Sequence, residues 1–303
     1  MEKNTSKQPM TKMVSGFLAA TMVIFVWSSW LVVSRAGATS ALTIYDLAAM
    51  RYGLSGCIAL PLVIYYKPWK TLSLVRIFLL SFILGPVYLF AVFGGFKLAP
   101  VAHGGAFMNG LLPIMSLVLG YFYLKHKITN IQKIGSIVIL ISCGFLSFSS
   151  QEVSFSDSWL GDILFVIGGM FFTIYVFCNP VWNLKAMHIL LSGSVINGLY
   201  YIPIWYFFLP TGIPLASNNE ILLQSFFQGL VPTLLGLLLI GYAARTIGSN
   251  TTSTMMAAVP GVGTVLGILF LDEILKPIGW IALLTLTIGI IVTSLPKKKI
   301  ATL

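Results

Sequence analysis

Arg51 is the residue whose position most demands a chemical explanation. It lies about seven residues into an apolar run that begins near residue 44, on the order of 10 Å along a helix rising ~1.5 Å per residue. A guanidinium at that depth is costly in lipid, so such a group is a functional candidate by default. Either it snorkels to the surface or pairs with Asp46, or it attracts a substrate carboxylate or phosphate or forms a gating ion pair. His103 comes second, at the head of another apolar run where Gly104 and Gly105 leave space beside it. Its ring is suited to taking up a proton near neutral pH, to donating to a substrate, or to a plain interfacial hydrogen bond.

Aromatic and amide side chains form the next set. Trp27, Tyr88, Tyr175, Tyr201 and Trp205 lie within apolar runs. The common fate of Trp and Tyr is the interfacial belt, but Tyr88 and Tyr201 sit near mid-run, where a hydroxyl needs a partner. Asn109, Asn179, Asn197 and Gln228 are uncharged amides well inside runs. Each bonds a neighbouring helix, at roughly 0.6–2 kcal/mol, or joins others facing a cavity suited to a neutral or zwitterionic solute. The informative gap is acidic: none of the 8 Asp and Glu lies near the middle of a run. A pump exchanging protons for cationic drugs needs a carboxylate at depth, so that class is disfavoured.

Two other chemistries find little support. Gly53-Leu54-Ser55-Gly56 matches a G-x-S-G pattern, and an intramembrane serine protease would pair Ser55 with His103. Such short motifs need their structural context, which this run lacks. Cys57, Cys143 and Cys178 have neither metal nor redox spacing, so no metal and no cofactor is expected.

The elements that must hold these groups follow from composition. The chain has 303 residues, 57% hydrophobic and 9% charged, with a mean hydropathy of +0.95. A soluble domain carries about 25% charged residues. Ten apolar spans emerge, at 13–34, 44–66, 77–96, 100–124, 131–149, 159–179, 188–209, 221–243, 249–271 and 278–295. They are apolar on all sides, unlike barrel strands, and helices satisfy their own backbone groups in lipid. The first span reads as an uncleaved helix, because it exceeds a signal-peptide core and Arg35 follows it.

The net charge of +10 points to no nucleic acid, since the basic residues sort by side of the membrane. With the N-terminus cytoplasmic, Lys3, Lys7, Lys12, Lys67, Lys70, Arg76, Lys125, Lys127, Lys133, Lys185, Arg245 and Lys297 to Lys299 fall inside. Arg35, Lys97 and Lys276 fall outside, with seven of the 8 acids. Both termini are therefore expected in the cytoplasm. Loops of no more than roughly a dozen residues leave no soluble catalytic domain. Function is expected within the bilayer.

The chain also compares with itself at an offset of 147 residues: Pro113, Gly120 and Leu124 match Pro260, Gly267 and Leu271. His103 then matches Asn250, and Phe107 matches Thr254. The faces His103, Phe107, Gly110 and Asn250, Thr254, Ala257 are expected to meet a central cavity. Pro86, Pro113, Pro232 and Pro260 allow mid-membrane bends, while Gly261, Gly263 and Gly267 allow close helix crossing. Five spans per half reverse the second half, giving inverted repeats over residues 1–150 and 151–303, a recurring transporter design.

Trp27-Ser28-Ser29, Tyr45-Asp46-Leu47-Ala48-Ala49-Met50-Arg51-Tyr52, the mid-helix Pro113 and Pro260, and Leu271-Asp272-Glu273 carry a resemblance. The chain resembles the drug/metabolite transporter superfamily, in its ten-helix form with two EamA-type domains. Leu271-Asp272-Glu273 is similar to that family's Leu-Gly-Glu ending, whereas the first half has Lys125-His126 there. The resemblance implies an all-helical multi-pass protein of a cell membrane, a bacterial inner membrane. It implies cavity-lining spans 1, 3, 4, 6, 8 and 9, with 5 and 10 peripheral. It further implies export of a small neutral, zwitterionic or anionic metabolite, amino acids first, by alternating access. Protons are the candidate coupling ion, and the chain is monomeric or a homodimer. A lipid or lipid-precursor flippase is the alternative of similar architecture.

Overall fold

The computed structural model describes residues 10–294, without the side chains of Leu237, Ser249 and Asn250. Ten apolar helical segments follow one another: α1 Met10–Ala38, α2 Ile44–Tyr66, α3 Leu74–Leu98, α4 Val101–Leu124, α5 Asn130–Leu146, α6 Phe155–Val181, α7 Ala186–Phe208, α8 Asn218–Ile247, α9 Thr251–Leu271 and α10 Pro277–Ser294. Among the described residues, nine are long and apolar enough to cross a membrane, and α5 is shorter at 17 residues. Each coincides with one of the ten sequence spans to within a few residues. Lys3, Lys7 and Lys297 to Lys299 lie outside the described residues.

Local chemistry sets the helix starts. Thr43 Oγ1 accepts from the Asp46 backbone N–H at 3.1 Å, and Asp46 Oδ2 accepts from the Thr43 N–H at 2.8 Å, a reciprocal cap that opens α2. Thr129 and Gln132 open α5 in the same way. Helix ends repeat too: Lys125 closes α4 at φ 56° and Asp272 closes α9 at φ 55°. Their N–H groups point back to Gly120 O and Gly267 O respectively.

Several helices are irregular at mid-depth. α3 breaks between Leu74–Ile83 and Pro86–Leu98, where Pro86 lacks a donor. The freed Leu84 carbonyl accepts from Tyr52 Oη at 2.9 Å and Asn197 Nδ2 at 3.1 Å, which makes the break tolerable away from water. α4, α7 and α8 each contain a π-helical segment, at Gly104–Gly110, Leu191–Ile196 and Val231–Leu235.

Small residues set the helix crossings. A Cβ on Gly289 of α10 would lie 2.8 Å from Ile139 of α5, and Ser142 Oγ meets Thr285 Oγ1 at 2.8 Å in the same pair. Gly161 and Gly168 of α6 fit against Ala99 and Val92 beside them. Gly263 of α9 fits Leu31 of α1, where Ser28 Oγ donates to Val259 O at 3.1 Å. Gly267 fits Val101 at the head of α4. The outer faces carry exposed apolar side chains such as Phe25, Ile137, Leu140, Leu284 and Ile288. That is the surface a bilayer covers and water does not.

The two ends of the bundle differ. At one end, Arg35 Nε donates to Glu273 Oε1 at 2.8 Å and its other arm to the Phe96 carbonyl, while Glu273 Oε2 accepts from the Val101 N–H at 2.8 Å. The loops 147–154 and 272–276 pair through Lys276 N–H to Ser149 O at 2.7 Å and Gln151 N–H to Ile274 O at 3.2 Å. Asp46 Oδ2 also accepts from the Gly212 N–H at 2.8 Å, joining the heads of α2 and the loop before α8. These bonds tie this end shut across α1, α3, α4 and α9.

Candidate functional site

A cavity of about 660 Å³ occupies the bundle centre. Its deep part is lined by Trp27, Trp30, Arg51, Tyr88, Met108 and Asn109. Its shallow part is lined by residues near the other ends of the helices, including Ser116, Gln132, Asn179, Ser253 and Ser294. It thus runs from mid-depth toward the end that carries Lys67, Lys125 and Lys185, away from the tied end. All ten helices contribute lining residues. This corrects the expectation that α5 and α10 stay peripheral: they pack mainly on each other, yet Gln132, Ile290, Thr293 and Ser294 reach the cavity.

Arg51 is the only Lys, Arg, His, Asp or Glu lining this cavity among the described residues. It does not pair with Asp46, whose Oδ1 is taken by Trp205 Nε1 at 2.9 Å and Oδ2 by Thr43 and Gly212. Its guanidinium instead lies over the Trp30 ring, 5.6 Å from the centroid. Its Nη1 is buried and makes no hydrogen bond among the described residues. Thr233 Oγ1 is likewise buried and unpartnered, and Thr233 lines the same cavity.

An amide relay holds the Trp30 ring. Trp30 Nε1 donates to Gln228 Oε1 at 2.8 Å. Gln228 Nε2 donates to Ser34 Oγ and Gln224 Oε1, each at 3.2 Å, and Gln224 Nε2 donates to Val33 O at 2.8 Å. Every link is buried or nearly so, and the chain fixes the plane on which Arg51 rests. Gln228 therefore sits behind the cavity wall.

The sequence candidates divide by place. Trp27, Arg51, Tyr88, Asn109, Tyr175 and Asn179 line the cavity, as do Pro113 and Pro260. Tyr201 does not: its hydroxyl donates to Tyr45 O at 3.1 Å and its ring packs edge-on against Tyr52. His103 is fully buried away from it, with Nδ1 and Asp162 Oδ1 2.7 Å apart, and Ser147 Oγ donates to Asp162 Oδ2 at 3.2 Å. Phe107 packs near His103 at a ring distance of 6.1 Å, and Gly110 abuts Leu286 of α10.

The face of α4 expected to meet the cavity therefore turns elsewhere. The π-helical segment Gly104–Gly110 adds residues per turn and brings Met108 and Asn109 round instead. Nor do the glycines leave space at His103. A Cβ on Gly104 would strike Phe96 at 2.6 Å, and one on Gly105 would meet the Pro260 Cα at 2.9 Å. On α9, Ala257 lines the cavity and Thr254 does not, while the Asn250 side chain lies outside the described residues. Gly263 and Gly267 pack helices together rather than touching the cavity. Ser55 Oγ donates to Arg51 O one turn back at 2.6 Å, and His103 is held by Asp162, so no Ser–His pair forms.

Sequence reasoning missed Trp30, Gln224, Thr233 and the partner of His103. Trp30 was the findable one, three residues beyond Trp27 on the same helix face.

Three comparisons bear on this architecture. A solved crystal structure superposes with a TM-score of 0.63 at 16% identity, over 92% of this chain and 96% of its own, so the two share a fold. A protein of Buchnera aphidicola subsp. Schizaphis graminum (strain Sg), named an uncharacterized transporter, is 25% identical over 168 residues. The match covers 52% of this chain and 56% of that relative, so the chain spans little more than half of its length. The uncharacterized transporter YwfM of Bacillus subtilis (strain 168) is 22% identical over 216 residues, 68% of this chain and 69% of that one. Within the chain itself, residues 14–148 match the EamA-like transporter family.

Proposed function

We propose that this chain is a secondary transporter moving a small metabolite of neutral, zwitterionic or anionic character, amino acids among them, by alternating access. Export is the favoured direction. The observation that carries the reading is the cavity of about 660 Å³, which runs from mid-depth to one end of the bundle while bonds tie the other. Its volume suits a small solute, and its wall is apolar with a few convergent polar groups. The names of the relatives and the family match over residues 14–148 support the same reading.

The matched caps at Lys125 and Asp272, 147 residues apart, support duplication with inversion. Two halves of that kind have two mirror-related arrangements, of which the structure is one. The excess of Lys near the open end supports a cytoplasmic side for that end under the positive-inside rule, which would make this the inward-open arrangement.

The test is counterflow. Full-length protein in liposomes preloaded with a metabolite panel should exchange at least one labelled solute faster than protein-free vesicles, with and without a pH gradient. No exchange by any solute under either condition would sink the transporter reading.

A further inference from the structure

A cation on the wall of a cavity inside the bilayer wants a counter-charge, and among the described residues this one has none. Arg51 is the sole full charge on the cavity wall among the described residues, its Nη1 is unpartnered, and the nearest acid on its own helix, Asp46, is saturated by Trp205, Thr43 and Gly212. Thr233 Oγ1 offers a second unpartnered donor from α8. Around them stand Trp27, Trp30, Tyr88, Phe172 and Tyr175, a wall of rings.

Resting on the transporter reading above and narrowing its substrate, we infer that the cavity takes a monocarboxylate with an apolar or aromatic body, bound by its carboxylate to Arg51. The charge count selects the class. One carboxylate on one guanidinium makes a bidentate, charge-assisted pair and leaves the loaded site neutral. A phosphate dianion would leave one negative charge buried with no second Lys or Arg to meet it. A zwitterion would leave its ammonium in the same cavity as Arg51, with no acid on the wall to offset it. Trp30, locked by Gln228, holds the guanidinium from behind and leaves its edge to the ligand. The rings then cover the ligand's apolar body.

The test uses purified full-length protein in nanodiscs and reads tryptophan fluorescence on titration with phenylacetate, phenylalanine, phenyl phosphate and 2-phenylethanol. Phenylacetate is expected to bind saturably, and about tenfold or more tighter than the other three, given what an unmatched buried charge costs. Arg51→Gln should weaken phenylacetate about tenfold or more while leaving 2-phenylethanol unchanged, and Arg51→Lys should recover part of the loss. Thr233→Val, a near-isosteric change, should weaken phenylacetate severalfold and stands in if Arg51→Gln does not fold. Equal binding of phenylacetate to wild type and these variants, or binding of phenylalanine or phenyl phosphate as tight as that of phenylacetate, overturns the inference. Counterflow in liposomes separates the two claims. Binding of phenylacetate without movement of any solute overturns transport and leaves the site standing. Movement of some other solute without phenylacetate binding overturns the site and leaves transport standing.

Discussion

His103 and Asp162 form a hydrogen-bonded pair, Nδ1 to Oδ1 at 2.7 Å, more deeply buried than the Arg35–Glu273 ion pair. Removing a single partner of such a pair leaves the other stranded in low dielectric, which typically costs ~3–5 kcal/mol. His103→Gln is therefore expected to lower the unfolding midpoint in detergent far more than it changes phenylacetate affinity. A double His103→Leu, Asp162→Leu variant should recover much of the stability, because apolar replacement of a whole buried pair is often nearly neutral. Ligand affinity lost well beyond the loss of stability would instead place His103 in the binding machinery. Gln228→Leu carries the opposite expectation. The Trp30 indole N–H loses its acceptor, and phenylacetate affinity should fall more than stability, since the ring supports Arg51. At this scale Arg51, Tyr88 and Asn109 were legible because depth alone marks a polar group in lipid. The partners of His103 and Gln228 were not. Depth says that a group needs satisfying, but not which helix supplies the atom.

Helix boundaries were legible to within a few residues, since hydrocarbon favours long apolar helices; caps such as Thr43 with Asp46 fix the starts in the structure. Which face each helix turns inward was not. Three π-helical segments shift the register of α4, α7 and α8, and each places residues on the cavity wall: Asn109, Gly193 and Thr233 are examples. A reading at i, i+4, i+7 assumes 3.6 residues per turn and so put His103 and Phe107 where Met108 and Asn109 stand. Close crossings give this scale its prediction. Gly105→Ala would press a methyl onto the Pro260 backbone, 2.9 Å away, at a contact that a rotamer change cannot relieve. Overpacking of this kind costs ~1–3 kcal/mol. The expected result is a lower unfolding midpoint with α4 and α9 forced apart, whereas Gly144→Ala, which meets nothing within 4 Å, should leave it unchanged. Equal midpoints in both variants would remove the close crossing from the account.

Over the whole molecule, the difference between the two ends is the feature on which the proposed alternating access depends. Glu273 joins Arg35 of α1 to the Val101 N–H of α4 from its place beyond α9, so Glu273→Gln should loosen the tied end. A cysteine at Val101, 1% exposed at the tied end, would report it once Cys57, Cys143 and Cys178 are replaced. In intact cells a membrane-impermeant thiol reagent should label that cysteine faster with Glu273→Gln than without it. Labelling only in inverted vesicles would reverse the proposed orientation.

In the proposed cycle, the Arg51 site would carry no net charge with a monocarboxylate aboard and one positive charge when empty. The transmembrane voltage then acts on the unloaded half of the cycle, by up to ~2.3 kcal/mol per 100 mV for a charge crossing the full field. In the proposed orientation an inside-negative cell would draw the vacant carrier back toward the cytoplasm, ready to reload. A leak of membrane potential would slow net efflux and spare one-for-one exchange, so voltage would act as a ratchet without any coupled ion.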